Sequence, residues 1–136
     1  MEPSEAAGKS VGEGIISVVI ADDDEMFGAA LEEVIAAAPQ LRLVGMAEDA
    51  AGAIALTERH HPDVAVLDVR MPGGGVEAAR EISTRSPRTT IIGLSAYDDR
   101  DTVTSMAGAG ARTHLVKAQV TGNDVVAAIR QAAGRG

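Results

Sequence analysis

Short apolar runs alternate with segments of helical spacing along this chain, and no other feature constrains its fold as strongly. Five runs have the length and composition of β-strands: 15–21, 41–47, 63–68, 89–95 and 113–117. Between them apolar residues recur at helical intervals, as at Phe27, Leu31, Val34 and Ile35. Strands that alternate with helices form βαβ units with right-handed crossovers. We therefore predict an α/β fold built on a doubly wound, five-stranded parallel sheet.

The interior of this predicted sheet must be almost purely aliphatic. Hydrophobic residues make up 46% of the 136 residues, but Phe27 and Tyr97 are the only aromatic ones. The length is typical of one domain, which we place at 15–134, and the stretch 1–14 is interpreted as a flexible tail. The chain shows neither a signal-peptide pattern nor the ~20 consecutive apolar residues of a spanning helix. We expect a cytoplasmic protein.

Charge and cysteine content exclude several classes of function. The net charge of −8 disfavours a nucleic-acid surface, which needs clustered Lys and Arg, and it also disfavours an anionic membrane partner. Because the chain has no cysteine, disulfides and thiolate metal sites are excluded. Any metal site must therefore be built from oxygen or imidazole ligands.

Polar side chains follow four of the predicted strands. Doubly wound sheets bind their ligands outside the carboxyl ends of the strands, so these side chains are candidates for a site. The first strand runs into Asp22–Asp24, and the third, fourth and fifth strands lead to Asp68, Ser95 and Lys117. We expect these residues to meet at one edge of the sheet. Asp24 is interpreted separately, as the N-cap of the first helix.

This set of side chains is suited to phosphoryl transfer. Carboxylates that converge from two strands can hold Mg²⁺, which takes one or two carboxylates together with phosphoryl oxygens. A lysine can pair with a phosphoryl oxygen, and an aspartate can act as the nucleophile that forms an aspartyl phosphate. The metal and the lysine would stabilise the charge of the transferring group.

Four motifs resemble a known family. They read, in order, "VVIADDDEMF", "VAVLDVRMPGGG", "IIGLSAYDD" and "GARTHLVK". Together they resemble the response-regulator receiver domain of two-component signalling, over about residues 16–134. Within this family, the motifs most resemble those of the receivers of LuxR-type regulators. The DNA-binding helix-turn-helix of those regulators is not found in this sequence. The resemblance implies a flavodoxin-like (βα)5 receiver fold.

The resemblance also implies a role for each matching residue. Asp68 would accept the phosphoryl group, and Mg²⁺, with Mn²⁺ as an alternative, would be held by Asp22, Asp23, Asp68 and the backbone carbonyl of Arg70. Four further positions would contact the phosphoryl group or take part in switching: Ser95, Ala96, Lys117 and His114.

Three departures from the family pattern bear on these roles. The loop "MPGGGVEAA" is one residue shorter than the usual one. Ala118 follows the lysine where the family commonly has proline, so the peptide bond before it is either trans or held under strain. His114 occupies the position of the family's switch Tyr or Phe, which puts the usual aromatic switch in question.

The implied function is a signalling switch rather than an enzyme. A histidine kinase would phosphorylate Asp68, the face formed by the fourth helix, fifth strand and fifth helix would change, and phosphorylation would favour a homodimer. The domain would serve a transcriptional regulator or stand alone, with only self-phosphorylation from phosphodonors and self-dephosphorylation as activities. Two alternatives remain open: a haloacid-dehalogenase-like phosphatase with Asp22 as nucleophile, and an interaction module that is not phosphorylated.

Overall fold

The computed structural model describes residues 14–134, which form five strands and five helices in strict alternation. Their bounds are β1 Ile16–Ala21, α1 Glu25–Ala37, β2 Leu41–Ala47, α2 Ala50–His60, β3 Val64–Asp68, α3 Gly75–Arg85, β4 Thr90–Ser95, α4 Arg100–Gly108, β5 Ala111–Val116 and α5 Gly122–Ala132. The predicted order of elements is confirmed. The predicted tail lies outside the described residues except for Gly14. Among the described helices, none is long and apolar enough to cross a membrane.

All five strands are parallel and lie in the order β2-β1-β3-β4-β5. The chain therefore reverses its direction of winding between β1 and β3, and this is where doubly wound sheets open a crevice for ligands. Ala21 pairs with Leu67 across these two strands. The residues that follow this pair, Asp22 and Asp68, must emerge side by side at the carboxyl edge.

The core consists of two aliphatic layers, one on each face of the sheet. Successive residues of a strand point to opposite faces, so Val64 and Val66 join the layer under α1 and α5. Ala65 and Leu67 join the layer under α2, α3 and α4. Every residue of β3 is buried, as its unbroken apolar run predicts. Because both layers rest on the two central strands, those strands form a rigid base for the site at their ends.

The loop between β3 and α3 returns tightly onto the end of β3. Gly73 and Gly74 have φ values of +88° and +86°, a conformation that residues with a Cβ adopt only under strain. The N–H of Gly75 then donates to the carbonyl oxygen of Val69 at 2.9 Å. A Cβ added at Gly75 would overlap the carbonyl oxygen of Asp68 and lie 2.6 Å from the Cα of Val69. The start of α3 is thus pressed against the backbone of Asp68.

Gly75→Ala is expected to lower the free energy of unfolding by about 1–3 kcal/mol, because the new methyl group must push α3 away from β3. Urea denaturation followed by circular dichroism measures this. Gly108→Ala, at the end of α4, is the matched control, since a Cβ there meets no atom within 4 Å. The control should be neutral or stabilising by up to about 1 kcal/mol. Equal losses in both variants would contradict the contact with Asp68.

Candidate acidic metal and phosphoryl site

Three carboxylates meet at the carboxyl ends of β1 and β3. Asp22, Asp23 and Asp68 each offer an oxygen within 4.8 Å of the others. Asp22 and Asp68 are both buried, with 4% of their surface exposed, whereas Asp23 is exposed. Backbone N–H groups two residues further on orient the buried pair: that of Asp24 donates to Asp22 Oδ1 at 2.9 Å, and that of Arg70 donates to Asp68 Oδ1 at 3.2 Å. The tight turns after β1 and β3 therefore hold both buried carboxylates in orientations in which their oxygens lie close together.

Lys117 connects the two buried carboxylates. Its Nζ lies 2.9 Å from Asp22 Oδ2 and 3.5 Å from Asp68 Oδ2, and 15% of its side chain is exposed. The contact with Asp22 is close but poorly aligned, so Oδ2 of Asp22 is buried without a well-formed hydrogen bond. Burial lowers the pKa of Lys117, but contact with Asp22 and the charge of Asp68 outweigh this effect and raise the pKa. The lysine is therefore an ammonium ion at neutral pH.

The pKa of Asp68 is raised from 3.8 to about 6. Burial is the main cause, followed by the carboxylate of Asp22, which favours the protonated form of Asp68 both as a hydrogen-bond acceptor and through its negative charge. The N–H of Arg70 and the charge of Lys117 act in the opposite direction without cancelling the rise. Among the described residues, Lys117 is the one cation that forms an ion pair with this cluster of three carboxylates, so the cluster has an excess of negative charge. Carboxylate oxygens are the ligands that Mg²⁺ prefers, so these residues fit a divalent cation.

The hydroxyl of Ser95 lies at the end of β4 and joins the next loop to β5. Ser95 Oγ donates to the carbonyl oxygen of Tyr97 at 2.8 Å and lies 2.9 Å from Nε2 of His114. Because a hydroxyl has a single hydrogen, Nε2 of His114 must be the donor in the second contact. Within the described part of the chain, Ser95 Oγ is therefore bonded to the loop after β4 and to β5, and not to Asp68.

The surroundings of His114 favour a neutral ring. Its Nδ1 is buried without a hydrogen-bond partner, and a Cβ added at Gly93 would lie 2.5 Å from that atom. Burial lowers the pKa of His114, and the charge of Asp98 only partly opposes this. An inward-facing ring at this position thus depends on the absence of a side chain at Gly93 and on the imidazole remaining uncharged.

The remaining predicted positions are placed as follows. Ala96 is exposed, directly after Ser95. The peptide bond before Ala118 is trans, like all others of the described residues, so the first of the two alternatives for this bond is correct. Asp24 caps α1 as predicted: its Oδ1 accepts from the N–H groups of Met26 and Phe27 at 3.1 and 3.2 Å. The acidic stretch is therefore divided, with its third aspartate facing the helix.

One residue beside the site was missed by sequence reasoning. The ring of Phe27 lies under the ammonium of Lys117, with 4.7 Å between Nζ and the ring centroid. Helical periodicity assigned Phe27 only to the apolar face of α1. The signal that was available is its position three residues after the capping Asp24, which puts it in the first turn of α1, at the same edge of the sheet as the acids.

The doubly wound sheet carries three carboxylates at the ends of its two central strands and a lysine after the edge strand β5, an arrangement typical of α/β domains that bind phosphoryl groups. Residues 18–130 match the family described as response regulator receiver domain. The chain belongs to this family, whose known role is phosphorylation-dependent switching in two-component systems.

Related proteins agree with this assignment. The transcriptional regulatory protein DegU of Brevibacillus brevis is 36% identical over 110 residues, which cover 80% of this chain and 47% of that protein. The transcriptional activator DevR/DosR of Mycobacterium tuberculosis is 34% identical over 89% of this chain and 56% of its own length. The receiver domain of the response regulator NarL from M. tuberculosis superposes with a TM-score of 0.84 at 31% identity, covering 89% of this chain and 98% of that domain. The chain thus spans about half the length of the curated relatives it matches.

Proposed function

We propose that this chain is a switch in which Asp68 accepts a phosphoryl group from a histidine kinase. The position of Asp68 carries the proposal: it is buried at the end of β3, within 3.5 Å of the ammonium of Lys117 and beside Asp22. With a pKa of about 6, its carboxylate is mostly ionised at neutral pH yet more basic than an ordinary aspartate. Both properties favour attack on phosphorus.

The proposed transfer is a displacement at phosphorus. An oxygen of Asp68 forms the new bond, the bond to the donor nitrogen breaks, and the released imidazole takes up a proton from solvent. Lys117 pairs with a phosphoryl oxygen as the charge shifts. Receiver domains bind Mg²⁺ at an acidic pocket, and when bound here it would neutralise charge on the transferring group. Its proposed ligands are Asp22, Asp23, Asp68 and the carbonyl oxygen of Arg70, with Mn²⁺ as an alternative ion.

The proposed switch uses the single hydrogen of Ser95. When that hydroxyl donates to a phosphoryl oxygen, it can no longer donate to the carbonyl of Tyr97. The loop after β4 and the ring of His114 then lose the contact that joins them, and the face formed by α4, β5 and α5 is free to shift. Ala96 leaves room for the phosphoryl group. We further propose that this face mediates homodimerisation and that the domain serves a transcriptional regulator in the cytoplasm.

The geometry disfavours the phosphatase alternative. That reaction needs Asp22 as nucleophile and Asp24 as a second acid in the site. Asp22 Oδ2 lies 2.9 Å from the ammonium of Lys117, whereas Asp68 Oδ2 lies 3.5 Å from it, so Asp22 is the more closely paired of the two buried acids. The carboxylate of Asp24 caps α1 instead of facing Asp22. The chain is thus proposed to act as a phosphoacceptor and not as a turnover enzyme.

Incubation with Mg²⁺ and acetyl phosphate tests this proposal. We expect one phosphoryl group per chain, mapped to Asp68 by mass spectrometry, and none in Asp68→Asn. Asp49→Asn, which alters an exposed acid that caps α2, should be phosphorylated normally. Phosphorylation of Asp22, or hydrolysis of the donor that persists in Asp68→Asn, would favour the phosphatase. A wild-type protein that neither becomes phosphorylated nor binds beryllofluoride would be an interaction module.

A further inference from the structure

We propose that Phe27 is a positioning residue for Lys117, whose ammonium its ring holds at the mouth of the acidic site. This inference rests on the proposed function, because the reaction it serves is the transfer to Asp68. The distance of 4.7 Å from Nζ to the ring centroid is within the ~6 Å range of a cation–π contact. Since only 15% of the lysine side chain is exposed, water screens the contact little.

The ring is held in place from two directions. Its backbone N–H is bound by the capping carboxylate of Asp24 at 3.2 Å. Its side chain packs against the core layer under α1 and α5, which includes Leu31 and Val125. Met26, the preceding residue, is 84% exposed and has no such support. The first turn of α1 therefore presents one fixed ring beside the lysine.

A ring suits this position better than a further carboxylate. The present partners of the ammonium, Asp22 and Asp68, are also the proposed metal ligands. Once they bind a cation, their attraction for Lys117 weakens, and an ammonium without other support would move toward water. The face of Phe27 attracts the charge without adding a competing negative group. The ammonium then remains near Asp68 with its N–H groups available to phosphoryl oxygens.

Substitutions of Phe27 distinguish a role in positioning Lys117 from a role in packing the core. We expect Phe27→Leu to reduce the rate of phosphorylation by acetyl phosphate and the affinity for beryllofluoride by about 3- to 10-fold, the size of a partly desolvated cation–π contact. Phe27→Tyr, which keeps the ring, should restore both. In a Lys117→Met background, Phe27→Leu should have no further effect. Equal losses in the two backgrounds, or no rescue by tyrosine, would show that Phe27 only supports the fold.

A second measurement does not depend on phosphorylation. In the metal-free protein, the ring should shift the ε-methylene proton resonances of Lys117 upfield, and Phe27→Leu, but not Phe27→Tyr, should abolish the shift. Absence of the shift in the wild type would overturn the contact while leaving the phosphoacceptor proposal intact. A shifted lysine in a protein that does not bind beryllofluoride would overturn the proposed function, and the positioning role with it.

Discussion

Asp68→Asn is expected to raise the free energy of unfolding by about 2–3 kcal/mol at pH 7.5 in the absence of divalent metal. The residue proposed as phosphoacceptor thus makes the fold less stable. Its carboxylate is buried next to Asp22, and the charge of Lys117 does not compensate for both carboxylates. Asparagine keeps the shape and can still accept from the N–H of Arg70, but it carries no charge.

The effect should depend on pH in a definite direction. The pKa of Asp68 is 3.8 without the fold and about 6 within it, so the folded state favours the protonated acid. This preference contributes stability below pH 4 and is lost as the pH rises through about 6. The stability difference between Asp68→Asn and the wild type should therefore be small at pH 4, increase up to about pH 6, and stay constant above it.

Urea titrations in EDTA across this pH range measure the difference. Asp49→Asn is the matched control, because it removes the charge of an exposed capping acid and keeps the cap. Its free energy of unfolding at pH 7.5 should lie within about 0.5 kcal/mol of the wild-type value. A gap between Asp68→Asn and the wild type that is constant with pH, or of opposite sign, would mean that the buried charge is compensated in a way the structure does not show.

Mg²⁺ should reverse most of this destabilisation. At about 100 times its Kd, an ion that binds only the folded state raises the free energy of unfolding by about 2.7 kcal/mol. Asp23→Asn should remove most of this gain, because Asp23 offers an oxygen to the cluster with Asp22 and Asp68. Thermal or urea unfolding with and without Mg²⁺ measures the gain in each variant.

Asp24→Asn is the control for that experiment. The two residues are adjacent and both exposed, but Asp24 caps α1, and asparagine caps a helix equally well. The gain from Mg²⁺ should therefore be nearly unchanged in Asp24→Asn. Equal losses in the two variants would show that the acidic stretch had been divided at the wrong residue.

The predicted effects of Asp68→Asn and of Mg²⁺ concern how the fold accommodates the acids at the ends of β1 and β3. Buried charges of one sign are costly without a counter-ion, and here the cost falls on Asp68 and Asp22. The rest of the domain is regular, with aliphatic layers on both faces of the sheet. The carboxylate of Asp68, which is proposed to accept the phosphoryl group, is thus expected to lower the stability of the metal-free fold, and a bound cation is expected to offset that loss.

Several features of the fold could be predicted because they depend on neighbours in sequence. The apolar run of β3 predicted a strand covered on both faces, and every residue of it is buried. The predicted cap at Asp24 is correct because a capping carboxylate bonds N–H groups only two or three residues away. The start of β5 was less accurate: the strand begins at Ala111, two residues before the predicted Thr113, because pairing with β4 extends it beyond its apolar part.

The sequence by itself determined the order of the elements, the parallel sheet and the acids, hydroxyl and lysine that follow its strands, since periodicity and strand-end positions are local properties. Only the tertiary structure decided how these residues are joined. The ion pair of Lys117 with Asp22 and its contact with Phe27 link positions 95 and 90 residues apart along the chain. The bond between Ser95 and His114 fixes a tautomer that no pattern reveals. Such contacts depend on distances of a few ångströms between separate strands and helices, and those distances are set by the packing of the whole sheet.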